Sequence, residues 1–237
     1  MCEFFSFVTE PENHGGKRFY FDWEYRKKHL QDENDSHSLI CKQFKLDEDV
    51  CNKYEFNPLT RAFSIDKINS PVDDRIQAED WVNKLDFRKV IQPLIIKPII
   101  NPFDLPIVEI TPEIIGLLKQ WTSVWASVRA SVRDSVWDSV GASVGASVWD
   151  SVGASVWASV RDSVWGSVGA SVGASVWAYV STFFNIKYKC DFSSCAKLWE
   201  MGIVLSFDGT TWRLHSGKDA AIVFEITVDE LGKQEEK

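Results

Sequence analysis

The chain has 237 residues, 45% of them hydrophobic and 25% charged, with a formal net charge of −8. The composition is that of a globular protein of one large or two small domains, and no region is basic enough for the electrostatic footprint of a nucleic-acid binder. The start of the chain lacks the basic and apolar stretches of a signal peptide, and Pro93, Lys97 and Pro98 break the longest apolar run too early for it to span a membrane.

Residues 1–110 read as a mixed α/β domain. Strands are expected over 3–9 and 17–23, separated by the turn-rich Pro11-Glu12-Asn13-His14-Gly15-Gly16. Helices are expected over 24–30 and 37–46, the second capped by Asp35 or Ser36. Segments 53–56 and 61–66 flank Asn57-Pro58-Leu59-Thr60 and read as a hairpin around a proline turn. Ser70-Pro71 opens a helix predicted to run to Leu85, with Ile76, Ala78, Trp81, Val82 and Leu85 as its apolar stripe. Residues 91–110 carry Pro93, Pro98, Pro102 and Pro106, which fit neither a helix interior nor a central strand. They are expected to form an extended connector, and a short helix over 112–120 then leads into the most unusual part of the chain.

Fifteen consecutive four-residue units fill residues 121–180, from Trp121-Thr122-Ser123-Val124 to Trp177-Ala178-Tyr179-Val180. Between these two, the third position is always Ser and the fourth always Val. The first is Trp, Arg or Gly, and the second Ala, Asp or Gly. Such repeats favour an extended binding or structural surface over catalysis. In an α-helix four residues turn about 400°, so the valine stripe drifts about 40° per unit and circles a long helix. Gly141, Gly145, Gly153, Gly166, Gly169 and Gly173 would each cost a helix about 1 kcal/mol against Ala. A strand has period two, which keeps every valine on one face. The favoured expectation is therefore a β-solenoid with Val inward and the first position outward. The alternative is long or hairpinned α-helices, bent at the glycine pairs Gly141/Gly145 and Gly169/Gly173. The variable positions differ by single-base codon steps, which fits either a young array expanded by slippage or selected diversification of a surface.

Beyond the array, residues 181–237 read as a small α+β cap. A helix is expected over 192–201, stopped by Gly202. Segments 203–207 and 210–214 flank Asp208-Gly209, the strongest hairpin signal in the chain. A strand over 220–228 and a fraying charged tail over 232–237 complete it. The predicted division is thus 1–110, a connecting helix over 111–120, the array over 121–180, and the cap.

The Ala-Ser-Val spacing resembles pentapeptide-repeat proteins with one residue removed. The flanks resemble a family of uncharacterised proteins from tailed phages and prophages. The residues concerned are Glu3-Phe4-Phe5-Ser6-Phe7-Val8, Phe19-Tyr20-Phe21-Asp22-Trp23, Asp35-Ser36-His37-Ser38 and the run from Asn52 to Thr60. Leu198-Trp199-Glu200-Met201-Gly202 and the run from Ser206 to His215 belong with them. The resemblance covers nearly the whole chain and implies a viral context without implying a chemistry.

No catalytic constellation converges. His14 sits in a turn, and His29 and His215 have no partner nearby in sequence. Asp35 and Ser36 beside His37 are explained by a helix cap. Asp73, Asp74, Glu79 and Asp80 read as a solvated helix start. The five cysteines, Cys2, Cys41, Cys51, Cys190 and Cys195, are odd in number and scattered, which argues against disulfides and zinc and for a reducing cytoplasm. Phosphate-loop, serine-nucleophile and metal motifs are missing, so no cofactor and no metal is expected. The candidate binding row is the first repeat position: Trp125, Arg129, Arg133, Trp137, Trp149, Trp157, Arg161 and Trp165. Trp and Arg are the residues most enriched at binding hot spots, although the flanking domains could instead cover these indoles. The expected function is a non-catalytic phage-type accessory protein whose array is a binding or assembly scaffold for a protein partner. Nucleic acid and membrane are not expected as partners, and self-association stays open. The alternatives are inhibition of a host protein by surface mimicry and an enzyme with an unrecognised site in residues 1–110. Three Arg against four Asp in the array fall far short of a phosphate-like charge density, which disfavours DNA mimicry.

Overall fold

The structure is a computed structural model that describes residues 5–11, 19–21, 36–91, 93–140, 145, 148–154 and 165–233. Among these residues the fold is mixed α/β, with eight delimited α-helices, one 3₁₀ turn and two open antiparallel sheets of four and three strands. The chain divides into two compact units, residues 1–97 with 136–148 and residues 98–135 with 149–237. Repeat residues contribute to both.

In the first unit, strand β1 (Phe5–Thr9) pairs antiparallel with β2 (Phe19–Tyr20) on one side and β3 (Asn52–Asn57) on the other. Strand β4 (Ala62–Lys67) pairs with β3 and forms an edge. Adjacent β1 side chains point to opposite faces, and both faces are filled. Val8 joins Tyr20, Ile40, Cys41 and Cys51 in a core with helix α1 (Ser36–Phe44). Phe7 stacks on Tyr54 at 5.4 Å and meets Trp81 of helix α2 (Arg75–Asn83) at 5.0 Å. Phe5 lies edge-on to Phe87 of the short helix α3 (Phe87–Val90) at 5.0 Å. The β3–β4 turn forms because Asn57 Oδ1 accepts from the backbone N–H groups of Leu59 and Thr60 and Arg61 adopts φ 63°. The helix expected over 24–30 lies outside the described residues.

Two expectations for this unit need correction. Helix α2 begins at Arg75, not after Ser70-Pro71. Asn52 holds the intervening loop: its Oδ1 accepts from the N–H groups of Asn69 and Ser70, and its Nδ2 donates to the Val72 carbonyl. The apolar stripe is also narrower than predicted, since Ala78 and Val82 are fully buried while Ile76 is 75% exposed.

In the second unit the proline-rich segment is extended apart from a single 3₁₀ turn at Pro102–Asp104. It is clamped at Ile100, whose N–H donates to Tyr179 Oη at 3.1 Å and whose carbonyl accepts from Trp199 Nε1 at 2.8 Å. Helix α4 (Pro112–Thr122) starts with Thr111 as cap and Pro112 in the first turn. Helices α5 (Trp125–Val140) and α6 (Trp165–Ser181) follow, and residues 148–154 are also helical. Helix α7 (Ser193–Glu200) ends before Gly202, at φ 92°. Strands β5 (Ile203–Phe207), β6 (Thr211–Ser216) and β7 (Ala221–Thr227) form the three-stranded sheet in that order, and helix α8 (Val228–Lys233) closes it. The Asp208-Gly209 turn is built as its sequence dictates. Asp208 Oδ1 accepts from the N–H groups of Thr210 and Thr211, and Gly209 adopts φ 103°. Helix α6 packs on β5 and α7, and its Ser171 Oγ accepts from the Phe207 N–H at 2.9 Å.

The β-solenoid expectation is wrong: apart from the turn at Ser123-Val124, the described part of the array is helical. The drift argument assumed one helix of sixty residues. The described helices α5 and α6 have 16 and 17 residues, and across each the valine stripe turns only about 120°, close to the width of an ordinary buried face. Val128, Val132, Val136, Val148, Val152, Val172, Val176 and Val180 are all fully buried. At about 1.5 kcal/mol or more for each, their burial outweighs the roughly 1 kcal/mol that each glycine costs. Several serines bond to the backbone just before them, whereas the buried Ser131 Oγ has no partner among the described residues. Ser123 Oγ donates to the Gln120 carbonyl at 2.7 Å, Ser127 to Val124 at 2.8 Å and Ser175 to Ser171 at 3.2 Å, the back-bonding that lets a hydroxyl sit in a helix interior. The hairpin alternative also fails at Gly169 and Gly173, which lie inside α6. Of the other pair, Gly141 lies outside the described residues and Gly145 is helical.

Candidate functional site: an aromatic cleft at the start of the repeat

The candidate row does not share one environment. Trp121, just upstream of it, is fully buried. Trp125 is half-buried and meets side chains from outside the array. Arg129 is exposed, and Arg133 is partly exposed with its Nε 3.3 Å from Asp134 Oδ1. Trp149 lies 6.0 Å from Trp177, both half-buried. Trp157 and Arg161 lie outside the described residues, and of Trp137 and Trp165 only the backbone is described, within α5 and at the start of α6.

Trp125 is the member that borders a cavity. Phe207 and Trp212 form a cross-strand pair at the turn end of the β5–β6 hairpin and stack at 4.5 Å, 17° from parallel. Trp125 stands edge-on to both, at 5.5 Å and 69° to Phe207 and 5.6 Å and 86° to Trp212. Edge-to-face and offset-stacked contacts are the arrangements that ring quadrupoles favour. Lys119 and Thr122 from α4 and Val228, Leu231 and Gly232 from α8 complete a cleft of about 380 Å³. Larger grooves border the connector, about 570 Å³ beside Leu105, Ile107 and Lys218 and about 490 Å³ beside Ile110, Ile115 and Lys119. A lysine borders each of the three, but the walls of the larger grooves are mainly aliphatic and backbone, whereas the smaller cleft has an aromatic floor. Phe207, Trp212 and Lys119 were not candidates from sequence. The Asp208-Gly209 hairpin signal could have paired Phe207 with Trp212 across two strands, but nothing local brings Trp125 to them.

Among the described residues, His37, His215 and Asp74 are buried and tie elements of the fold together. His37 is fully buried in α1, with Nε2 3.0 Å from the Tyr54 carbonyl and Nδ1 3.5 Å from Asp66 Oδ2. His14 and His29 lie outside the described residues. Ser206 and His215 form a nucleophile-like pair with Oγ 2.7 Å from Nε2. His215 Nδ1 faces the Ala220 carbonyl at 3.0 Å. A carbonyl only accepts, so Nδ1 carries the proton and Nε2 accepts from Ser206. Burial pushes the His215 pKa below its ordinary value, and both side chains are enclosed, so the pair is an internal tie between β5 and β6.

Asp74 overturns the expectation of a solvated helix start. It is fully buried, and its Oδ1 accepts from Tyr54 Oη at 2.6 Å, Asn52 Nδ2 at 2.8 Å and Thr9 Oγ1 at 3.2 Å. Burial, and then the bond to Asp74, raise the Tyr54 pKa. Cys41 and Cys51 are buried together in the α1 core, and burial pushes Cys195 up to about 12. Among the described residues, no group of three or more His, Cys, Asp or Glu side chains could hold a metal ion. No helix among them is long and apolar enough to cross a membrane. No family model matches the chain, and no curated protein or solved structure matches it.

Proposed function

We propose that the chain is a non-catalytic accessory protein in which the repeat helices form a scaffold and α5 displays the variable half of its units to a protein partner. The observation that carries this reading is the division of labour along α5. Val128, Val132 and Val136 are fully buried, whereas Arg129, Ala130, Asp134 and Asp138 lie exposed. Along α5 the fixed valines anchor the helix and most of the variable half beyond Trp125 faces solvent, where a substitution costs little stability, whereas in α6 the variable-half Ala174 and Ala178 are buried. Arginines on a rigid helix are well suited to partner recognition. The flanking resemblance to phage and prophage proteins supports a viral setting, and four free cysteines among the described residues favour a reducing cytoplasm.

Charge reversal of Arg129 and Arg133 to Glu tests the reading. Partners captured from host extract by the wild-type chain and by the double variant are compared by mass spectrometry, with thermal melts as the folding control. Loss of a wild-type partner from the folded variant supports the scaffold. An unchanged set of partners removes α5 as the recognition surface.

A further inference from the structure

We propose that the cleft at Trp125 is a binding site for a small planar aromatic carboxylate carrying a hydrogen-bond donor. This site is independent of the scaffold face on α5. Three features of the cleft define the chemistry.

The first is shape. The Phe207–Trp212 stack supplies a floor and Trp125 a wall set nearly perpendicular to it. Trp212 is buried, whereas Trp125 and Phe207 are only partly covered, so aromatic surface is left for a further ring. The volume of about 380 Å³ is near the lower end for small-molecule sites. It suits one or two fused rings better than a folded segment of another protein.

The second is charge. Among the described residues, Lys119 is the one ionisable side chain that lines the cleft. It is half-buried and makes no ion pair or side-chain hydrogen bond among the described residues. An ammonium beside aromatic walls, without a carboxylate of its own, is complementary to an anionic group on an incoming ring.

The third is hydrogen-bond polarity. Thr122 Oγ1 donates its proton to the Lys119 carbonyl at 2.8 Å, so toward the cleft it can only accept. It therefore matches a ligand N–H or O–H. The Trp125 indole N–H has no protein partner among the described residues and can donate to the ligand's acid group alongside Lys119.

The test uses the full chain and 5-fluoroindole-3-propionate, whose ¹⁹F line broadens on binding, with its neutral amide as comparison. The acid should bind about fivefold more tightly than the amide, the order expected of one partly exposed ion pair. In Lys119→Gln the two should bind alike, and in Trp125→Leu neither should bind. Thermal melts of both variants establish that they are folded. Because Trp125→Leu disturbs the ring cluster, Lys119→Gln carries the decision. No broadening at millimolar ligand, equal affinity of acid and amide for the wild type, or an acid preference that survives Lys119→Gln would overturn the proposal. Tighter binding of a short peptide ending in Trp than of the free acid would also overturn it, by reassigning the cleft to a protein terminus.

Discussion

Replacing Gly173 by alanine should make the protein more stable. Gly173 lies in the interior of α6, and a Cβ built there meets nothing within 4 Å. The substitution therefore adds no clash and little packing, and what remains is the helix preference for Ala over Gly, about 0.5–1 kcal/mol. For a chain of this size that corresponds to a rise of about 1–4 °C in melting temperature. Urea titration followed by far-UV circular dichroism is the assay, with the midpoint rising and the slope unchanged. Gly202→Ala is the opposing control. Gly202 has φ 92°, and its added Cβ would lie 3.1 Å from Leu105 Cβ and 3.3 Å from the Pro102 carbonyl oxygen, so about 1–3 kcal/mol should be lost. A fall in stability for Gly173→Ala would refute the reasoning, because it would place Gly173 in a turn that needs a glycine.

Three further outcomes are expected. Val132→Ala should destabilise by about 1–2 kcal/mol after the better helix propensity of Ala is counted, whereas Arg129→Ala should stay within about 0.5 kcal/mol; paired denaturant melts compare them. Asp74→Ala strands the buried donors of Thr9, Asn52 and Tyr54 and should cost about 3 kcal/mol or more, measured as a loss of protection from hydrogen exchange in β1 and β3. His215 is held below its ordinary value of 6.5, so below about pH 6.5 the unfolded chain takes up a proton that the folded chain resists. Stability should fall as pH drops from 7 through 6, and His215→Gln should flatten that slope in melts across the range; an unchanged slope would mean that other groups govern it.

Much of the fold was legible because its signals are local. The Asn57-Pro58 and Asp208-Gly209 turns use their own side chains and backbone freedom to reverse the chain, so both hairpins follow from a few adjacent residues. The proline spacing likewise settles the connector. Asp74 was misjudged because its donors come from strands, Thr9 lying 65 residues upstream and Asn52 22 upstream. The cleft was hidden for the same reason, since Trp125 reaches Phe207 and Trp212 only through the tertiary fold. The solenoid error has a different origin. The angular drift per unit was right, but it decides against a helix only when the helix is long, and periodicity alone does not report where a helix stops.

The mismatch between a four-residue unit and the helical turn also constrains how the array can evolve. Deleting one twelve-nucleotide copy inside α5 would shorten the helix by about 6 Å and rotate everything beyond the deletion by about 40° relative to what precedes it. Trp125, seated against Phe207 and Trp212, and the buried Val132 further along the helix would lose their mutual bearing, and only about nine copies would restore it. If copies are gained or lost one at a time, the helix thus imposes a preferred copy number, and lineages should differ by whole helices more readily than by single units.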